Sequence, residues 1–452
     1  MKKTIHIYHT NDLHSHFENW PRIARFLEER RALHEQAGEY SFAFDIGDHV
    51  DRAHPLTEGT LGTFNIELLN KSRFDAAAIG NNEGITLPRE ALNNLYEQAA
   101  FPVVCANLFE KNGETRPDWL VPHAFFQAGG ITIAVTSATA QYTAFYELLD
   151  WCVTLPIDEL KKQIAMLRKR ADIVIVLSHL GMYDDEKLAE ETEADVILGG
   201  HTHHVFHEGK MVNGTLLAAA GKYGYFAGHV EIEVDSESGQ ITAKRAYAAE
   251  TNRELKPPSD EREQQAAFEE WGKKALSVPA VHLDRELSGD WFQPSILPQL
   301  LAEALTEWCH ADCSFLNAGV VLGSLPAGEI TKYDLHKLLP HPINPCLIEL
   351  TGAELAEVLR QTCDEKWPHL QIKGLGFRGS VMGRFIYDRI EIREPYFLIN
   401  GQPIEMKKTY KVATLDMFTY GHYFVELHRA PSKRYFMPEF LRDIMEWKLL
   451  QL

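Results

Sequence analysis

The sequence predicts a layered α/β fold in its first half and a second, separate α/β domain in its second half. Short apolar runs typical of strands alternate with amphipathic runs typical of helices. Clusters of polar residues come directly after several of the predicted strands. A Pro-Pro dipeptide and a charged helical run then separate the two halves near residue 255. The length of 452 residues agrees with two domains, since it exceeds what one hydrophobic core usually serves.

The first half can be followed element by element, because strand-like and helix-like periodicities differ. In chain order, the predicted strands are TIHIYHT, SFAFDIG, DAAAIG, FPVVCANL, ITIAVTSA, DIVIVLSH, ADVILGG and TLLAAAG. The predicted helices between them are RIARFLEERRALHEQ, a helix near TFNIELLNKS, and IDELKKQIAMLRKR. The run HVEIEVDSESGQITAKRAYAAE is typical of a hairpin that ends the sheet.

The second half has helices such as ILPQLLAEALTEWCH and TGAELAEVLRQTC, short strands between them, and a glycine-rich segment KGLGFRGSVMGRF. We find no internal repeat and no low-complexity tract. We therefore predict a first domain over 1–254, a linker helix over 255–280 and a C-terminal domain over 281–452.

Composition narrows the function. A formal charge of −19 argues against a nucleic-acid polymer as partner, whereas a small anionic substrate stays possible if bound cations reverse the local sign. The six cysteines lack the spacing of a zinc knuckle or the density of a disulfide scaffold, so we expect simple burial. No apolar run suits an export signal or a membrane span, which favours a cytoplasmic protein with no membrane partner. The oligomeric state is left open.

Seven potential metal ligands lie just beyond predicted strands: Asp12, His14, Asp48, Asn81, His179, His201 and His203. The carboxyl ends of strands in an open α/β sheet border the crevice where ligands bind, so these groups can converge. Asp48 is the natural bridge, because one carboxylate can serve two cations. Any one of these residues taken alone is more often a turn or surface residue. Seven compatible ligands at strand ends in one domain rarely occur by accident.

The series HTNDLHSH, DIGDHVD, GNNEG, VLSHLG and GGHTHH resembles the bacterial 5′-nucleotidase and UDP-sugar hydrolase family of dinuclear metallophosphoesterases. The segment NAGVVLGSLPAGEITKYDLHKLLPHPINPCLIELTGAELAEVL is similar to the family's C-terminal substrate-binding domain. The resemblance implies a four-layer α/β/β/α sandwich followed by a second α/β domain. It also implies two divalent cations, Mn, Zn, Fe or Co. One would be held by Asp12, His14, Asp48 and His203, the other by Asp48, Asn81, His179 and His201. The implied reaction is attack on phosphorus by metal-activated water.

One departure from the family motif concerns catalysis. The family has histidine where this chain has Asn82, and aspartate where it has Ile85. An amide can donate a hydrogen bond but cannot become cationic or pass on a proton. Asn82 therefore stands at the catalytic position, and turnover is expected to be slow or confined to good leaving groups unless His49 or His204 substitutes. Those two histidines are otherwise packing residues. Asn11 and His9 are expected to brace the first loop by hydrogen bonds.

Further departures concern the substrate. Leu322 replaces the family's arginine in NAGVVL, His341 replaces an aromatic residue, and TLDMFTYGHYF lacks the family's glycine-aspartate core. The candidate substrate-binding residues are Asn317, His341, Arg378, Phe418, Tyr420 and Tyr423, with Arg384 as a further cation. The aromatic residues could stack on a base or could simply belong to the core, and the arginines could be solvated loop residues.

The leading hypothesis is a metal-dependent phosphohydrolase that acts on a nucleotide or nucleotide-like ester or anhydride. One alternative keeps the chemistry but uses a phosphodiester, a nucleotide sugar or a non-nucleotide phosphate. Another, motivated by Asn82 and Ile85, is a catalytically impaired metal-binding sensor.

Overall fold

A computed structural model describes residues 2–235, 237–393 and 396–452. The chain divides into two compact units, Met1–Gly272 (unit 1) and Lys273–Leu452 (unit 2). The division falls within a helix, Glu261–Ala275, that lies inside the expected linker segment 255–280. Among the described residues, no helix is both long and apolar enough to cross a membrane.

Unit 1 contains two large sheets. The strands of unit 1 are β1 (Lys2–Thr10), β2 (Tyr40–Asp45), β3 (Ala76–Ala78), β4 (Val103–Val104), β5 (Leu108–Glu110), β6 (Leu120–Val121), β7 (His123–Ala128), β8 (Ile131–Thr139), β9 (Trp151–Val153), β10 (Ile173–His179), β11 (Val196–Gly199), β12 (Lys210–Val212), β13 (Thr215–Ala218), β14 (Phe226–Asp235) and β15 (Ile241–Glu250). The first sheet has the order β15-β14-β1-β2-β3-β4-β6 and the second has the order β12-β13-β11-β10-β8-β7. Strands β1, β2, β3, β4 and β6 are parallel, as are β8, β10, β11 and β13.

The two sheets face each other across one apolar core. Ile5 and Phe44 of the first sheet are fully buried in the same cluster as Ile175 of the second. Helices cover the outer faces, so the layers run α/β/β/α, which confirms the predicted fold class. The helices are α1 (Trp20–Ala37), α2 (Pro55–Thr60), α3 (Thr63–Lys71), α4 (Asn81–Thr86), α5 (Arg89–Leu95), α6 (Thr143–Leu148), α7 (Pro156–Leu167), α8 (Met182–Glu191), α9 (Thr251–Glu254) and α10 (Glu261–Ala275).

Local sequence explains where these helices begin and end. Helix α1 has a proline in its first turn, buries Ile23 and Leu27 on one face, and stops at Gly38, whose φ of 70° is left-handed. Helix α7 buries Leu160 and Ile164 against the second sheet. The predicted terminal hairpin is formed by β14 and β15, with residue 236 outside the described residues.

Unit 2 is a separate α/β unit around a mixed sheet of order β20-β17-β24-β19-β25. Its helices α12 (Lys332–Leu338) and α13 (Gly352–Thr362) begin at reciprocal capping boxes, in which Thr331 pairs with Asp334 and Thr351 pairs with Glu354. The helices are α11 (Ile296–Trp308), α12 (Lys332–Leu338), α13 (Gly352–Thr362), α14 (Val425–Arg429) and α15 (Leu441–Leu449). The strands are β16 (Pro279–Leu283), β17 (Cys313–Asn317), β18 (Gly328–Thr331), β19 (Pro345–Thr351), β20 (Phe385–Asp388), β21 (Ile390–Arg393), β22 (Tyr396–Ile399), β23 (Gln402–Pro403), β24 (Thr409–Leu415) and β25 (Lys433–Tyr435).

Candidate metal centre

The seven predicted ligands come together at the carboxyl ends of five parallel strands in unit 1. Asp12 and His14 follow β1, Asp48 follows β2, and Asn81 follows β3, and these three strands are neighbours in the first sheet. His179 ends β10, and His201 and His203 follow β11, its neighbour in the second sheet. Because the two sheets face each other, loops from both reach the same edge.

The first group of donors consists of Asp12, His14 and His203. One ligand atom from each can be chosen so that all lie within 4.8 Å of one another. Nε2 of His14 and Nε2 of His203 are 3.1 Å apart, and His203 Nε2 is 3.5 Å from Asp12 Oδ1. Two imidazole nitrogens that face each other beside a carboxylate suit a shared cation.

The second group consists of Asp48, Asn81, His179 and His201. His179 Nε2 lies 3.3 Å from Asp48 Oδ2 and 3.3 Å from Asn81 Oδ1. Asn81 Oδ1 is 2.8 Å from His201 Nδ1. These separations are close to the roughly 3 Å expected between ligands that sit about 2.1 Å from one cation.

Asp48 stands between the two groups. Its Oδ2 is 3.7 Å from His14 Nε2 and 3.3 Å from His179 Nε2, while its Oδ1 accepts a hydrogen bond of 2.7 Å from the backbone N–H of Asn82. One carboxylate oxygen is thus fixed by the backbone and the other is directed at both groups. Asp12 Oδ1 also reaches toward the second group, at 4.0 Å from His179 Nε2.

The backbone at these ligands is in an unusual conformation. Five of the seven have positive φ: Asp12 (51°), His14 (48°), Asp48 (50°), His201 (71°) and His203 (57°). Non-glycine residues adopt this region uncommonly, and such outliers collect at functional sites. The clustering is therefore an observation in favour of function that is independent of side-chain chemistry.

Neighbouring groups orient the donors. His179 Nδ1 lies 2.9 Å from the carbonyl oxygen of Ile46, which leaves Nε2 directed at Asp48. Asn11 donates to Asp12 Oδ2 at 2.8 Å, as expected for a bracing residue. His9 does not brace the loop in this way: it is buried against Gly228, and its Nδ1 has no hydrogen-bond partner in the described part of the chain.

Burial and charge agree with a cation site. Asp12 is fully buried, and Asp48 has 2% of its surface exposed. Burial disfavours the charge on His179, but the attraction of Asp48 outweighs it and raises the pKa of His179 to about 10. Burial likewise opposes ionisation of Asp48, yet His179 and His14 hold the pKa of this carboxyl well below its usual value. Positive charge is therefore strongly favoured between these groups, and the oxygen and nitrogen donors fit divalent cations.

Several supporting residues escaped the sequence analysis. Glu83 is buried, and its carboxylate accepts hydrogen bonds from the backbone N–H groups of Asp48 (3.0 Å), Val50 (2.8 Å) and Gly80 (2.9 Å). Burial and the neighbouring Asp48 raise the pKa of Glu83 to about 7. Asp51 Oδ2 lies 3.4 Å from His14 Nδ1, on the side opposite the donor cluster. The only sequence signal for Glu83 is its place in GNNEG, two residues after Asn81.

The catalytic candidate Asn82 is 9% exposed and supports the cluster. Its amide nitrogen donates to the carbonyl oxygen of Val50 at 3.0 Å and lies 2.9 Å from His14 Nδ1. His49 is buried and in contact with Asn65, which agrees with a packing residue. His204 Nδ1 is 2.9 Å from the hydroxyl of Thr202.

The candidate substrate residues in unit 2 are not all at a surface. His341 is fully buried, and its Nε2 donates to the carbonyl oxygen of Val320 at 2.7 Å while its Nδ1 accepts from the N–H of Arg378 at 2.8 Å. Burial lowers the pKa of His341 to about 3, so the ring is a neutral core residue. Phe418 is also fully buried, 5.4 Å from the ring of Phe424. Neither ring offers a free face to a base, which corrects the expectation for these two residues.

The other four candidates are placed differently. Asn317 is buried and donates to the carbonyl oxygen of Met382 at 2.9 Å, and its Oδ1 has no partner among the described residues. Arg378 and Tyr423 are half-buried, and Tyr420 is 36% exposed. Arg378, Tyr420 and Tyr423 thus retain surface for a ligand, as does the half-buried Arg384.

An α/β/β/α sandwich with clustered carboxylate, amide and imidazole donors at its strand ends defines a metallophosphoesterase. Comparison with known proteins places the chain in the same class. Residues 5–205 match the calcineurin-like phosphoesterase family, and residues 275–424 match the 5′-nucleotidase C-terminal domain. The chain is 46% identical to an uncharacterized metallophosphoesterase, YunD of Bacillus subtilis, over 100% of both chains.

Two more distant proteins match most or all of the chain. A 5′-nucleotidase of Vibrio cholerae is 28% identical, over 78% of this chain and 74% of its own. The solved structure of the Haemophilus influenzae NAD nucleotidase superposes with a TM-score of 0.68 at 16% identity, over 100% of this chain and 97% of its own. The chain therefore belongs to the metallophosphoesterases that carry a 5′-nucleotidase-type C-terminal domain. It is a hydrolase that depends on divalent metal ions, which confirms the predicted family and activity.

Proposed function

We propose that the chain hydrolyses a phosphate ester or anhydride of a nucleotide or nucleotide-like molecule. The observation that carries the chemistry is the position of Asp48 Oδ2 between His14 Nε2 and His179 Nε2, at 3.7 and 3.3 Å. The nucleotide part of the proposal is supported by the match of residues 275–424 to the 5′-nucleotidase C-terminal domain and by the names of the relatives.

In this proposal Asp12, His14, Asp48 and His203 hold one cation, and Asp48, Asn81, His179 and His201 hold the other. Mixed oxygen and nitrogen donors suit Mn²⁺, Zn²⁺, Fe²⁺ or Co²⁺. When bound, such a pair lowers the pKa of water and stabilises charge on phosphoryl oxygens. The protein's own groups keep the donors in place: Glu83 fixes the turns that carry Asp48 and Gly80, and Asp51 places a carboxylate oxygen 3.4 Å from His14 Nδ1.

Both oxygens of Asp48 are engaged, one by the N–H of Asn82 and the other by the imidazoles. This carboxylate is therefore poorly placed to attack phosphorus itself, and we propose that water is the nucleophile and that no phosphoenzyme forms. A cavity of about 600 Å³ adjoins the donors at His201 and is lined by Gln141, Asp158, Lys161 and Lys187, among others. It offers room for the part of the substrate beyond the phosphate.

The proposed location is the cytoplasm. Among the described residues the six cysteines form no disulfide bond with one another, and four of them are buried, as expected for a protein kept in a reducing compartment.

The test is hydrolysis of an aryl phosphate, a bis-aryl phosphate, a nucleoside monophosphate and a nucleotide sugar by metal-stripped protein with Mn²⁺ or Co²⁺ added back. We expect metal-dependent turnover, and a loss of at least about 10³-fold in Asp48→Asn because the substitution removes a charge that both donor groups share. Asp284→Asn, an exposed position in unit 2, is the matched control and should retain full activity.

The outcomes separate the alternatives. Activity confined to the bis-aryl phosphate or to non-nucleotide esters would reject the nucleotide substrate and keep the hydrolase. Turnover that survives Asp48→Asn would contradict the proposed metal centre. No turnover with any metal or substrate would favour a metal-binding sensor.

A further inference from the structure

A second group of histidines lies away from the catalytic edge of unit 1. His6 and His229 come from the neighbouring antiparallel strands β1 and β14, and His34 comes from helix α1, which covers them. One nitrogen from each ring can be chosen so that all three lie within 4.8 Å of one another. His6 stands four residues before the end of β1, roughly 13 Å along the strand from the edge that carries Asp12.

The register of the sheet explains why two of these rings meet. Tyr8 is paired with His229 and His6 with Glu231, so His6 and His229 are diagonal neighbours on one face. His6 Nδ1 lies 3.1 Å from His229 Nε2. The opposite face of β1 carries Ile5 and Ile7 into the core between the sheets. The histidines therefore occupy the face toward α1, where apolar contacts are the norm.

The end of helix α1 adds the third ring and a carboxylate. The N–H of Gly38 donates to the carbonyl oxygen of Glu35 and that of Glu39 to the carbonyl oxygen of His34, which is the pattern of a Schellman motif. This turn brings Glu39 back beside His34, and Oε2 of Glu39 lies 2.9 Å from His34 Nδ1. The same oxygen is 3.2 Å from His6 Nε2.

One nitrogen in this cluster lacks a hydrogen bond. His6 has 5% of its surface exposed, and its Nε2 has no hydrogen-bond partner among the described residues, although Oε2 of Glu39 lies 3.2 Å away. An unsatisfied buried polar atom costs about 1–3 kcal/mol, so its presence calls for an explanation. A bound cation would supply one.

We infer that His6, His34 and His229, with Glu39, form a third metal site that takes a borderline divalent cation such as Zn²⁺. Three imidazoles and one carboxylate are a common ligand set for zinc, which accepts nitrogen at about 2.0–2.1 Å and carboxylate oxygen at about 2.0–2.2 Å. The side chain of Glu39 is 38% exposed and gives the cation a route from solvent. Binding requires the rings of His6 and His34, stacked at 3.7 Å with an interplanar angle of 19°, to tilt apart.

The charges around the cluster favour this assignment. Glu39 and Glu231 contribute two carboxylates, the latter 3.9 Å from His6 Nδ1, and Arg30 is the cationic group whose charge acts on His229. Burial, together with the neighbouring histidines, lowers the pKa of His229 to about 3, and burial also lowers that of His6. Burial thus favours the neutral form of both rings, which is the form that binds a metal.

A cation bound at this site would link the end of helix α1 to the first sheet. His34 is near the last turn of the helix, and His6 and His229 lie in the strands beneath it. A metal that binds only the folded chain stabilises it by mass action. The site is separate from the catalytic donors, so its loss should leave the hydrolase chemistry in place.

The test is the Zn²⁺ stoichiometry of the metal-stripped full chain, measured by equilibrium dialysis with elemental analysis. We expect three equivalents in the wild type, two in His34→Gln/His229→Gln, and three in the control His282→Gln, which removes an exposed histidine from unit 2. The one-equivalent difference between the wild type and the double variant tests the inference even if the catalytic centre binds fewer ions than proposed.

Two further measurements guard against a variant that fails to fold. The double variant should keep its circular dichroism spectrum and its Mn²⁺-dependent turnover. Glu39→Gln, at the exposed end of the cluster, should weaken binding of one Zn²⁺ tenfold or more and alter the visible spectrum of the Co²⁺-loaded chain. Equal Zn²⁺ stoichiometry in all chains, or an unchanged affinity and spectrum in Glu39→Gln, would overturn the inference and leave the cluster as a set of hydrogen-bonded side chains.

Discussion

Five proposed ligands at the catalytic edge adopt a backbone conformation that is uncommon for residues with a side chain. A positive φ at five proposed ligands costs each turn free energy that the surrounding contacts must offset. At Asp48 that support is visible, since Glu83 holds the N–H of Asp48 and the N–H of Asn82 holds the carboxylate. The strain directs five side chains toward two points, which relaxed turns would not do.

The sequence resemblance predicts that Asn82 stands where the family has a catalytic histidine. The amide of Asn82 contacts His14 and the carbonyl oxygen of Val50. An amide cannot carry a proton to a leaving group. We expect Asn82→His to raise turnover, by up to about 10²-fold, for substrates with poor leaving groups and little for those with good ones, because general acid help matters only where the leaving group needs it.

The measurement is kcat for a series of aryl phosphates whose leaving-group pKa values span several units. The wild type should give a steep dependence and Asn82→His a flatter one. Asn82→Ala is the control for loss of the contact with His14, and it should lower turnover uniformly across the series. An equal effect of Asn82→His on all members would contradict the acid role.

At the scale of elements, the site depends on how closely the turns after β2 and β3 approach each other. A Cβ added to Gly80 would lie 2.1 Å from Asp48 Oδ1 and 2.4 Å from the backbone nitrogen of Asp48. A Cβ on Gly47 would lie 2.3 Å from the backbone nitrogen of Gly80. Both glycines are thus required by the neighbouring turn.

We expect Gly80→Ala to displace Asp48 and to reduce metal-dependent turnover by at least about 10²-fold, with a raised metal requirement. The φ of Gly80 is −91°, so the cause is the contact with Asp48 and not backbone strain. Gly214→Ala is the control, because its Cβ meets nothing within 4 Å and its left-handed φ of 84° costs only about 1 kcal/mol. The measurement is turnover as a function of Mn²⁺ concentration. Equal turnover in the two variants would show that the turn can move without cost.

The helices and strands also separate the features that the sequence predicts from those that it does not. Strand periodicity and the polar residues after each strand predict a layered α/β fold and the seven donors, because both depend on local pattern. The four-layer α/β/β/α arrangement is implied only by the resemblance to a known family. The hydrogen bonds that Glu83 accepts depend on a contact between two turns, and the cluster of His6, His34 and His229 depends on strand register and on a helix end. Both join residues that are far apart in the sequence, so local pattern does not predict them. Likewise, the burial of His341 and Phe418 is decided by the packing of unit 2, which a loop motif does not reveal.

At the scale of the whole molecule, the proposed metal ligands all belong to one unit. The seven donors of the catalytic edge lie in unit 1, within the part that matches the calcineurin-like phosphoesterases, and the ligands of the third site also lie in unit 1. The candidate substrate residues named from the sequence lie in unit 2. Metal binding should therefore stabilise the units unequally. Asp12 and Asp48 are buried carboxylates whose charge cations would offset, whereas the described part of unit 2 contains no comparable cluster of metal-binding groups.

Removal of metal from the full chain should lower the melting temperature of unit 1 alone. A single cation present at 100 times its Kd stabilises the folded state by about 2.7 kcal/mol, and in a domain of this size each kcal/mol corresponds to about 2–4 °C. We expect a loss of at least about 5 °C when Mn²⁺ is replaced by a chelator. Hydrogen exchange should localise the change to the loops after β1, β2, β3, β10 and β11. Most of the shift should remain in His34→Gln/His229→Gln, since that variant keeps the catalytic donors, and Asp48→Asn should keep only the part that comes from the third site. A shift of full size in Asp48→Asn, or exchange that rises equally in unit 2, would contradict the prediction that the catalytic donors bind the main stabilising cations.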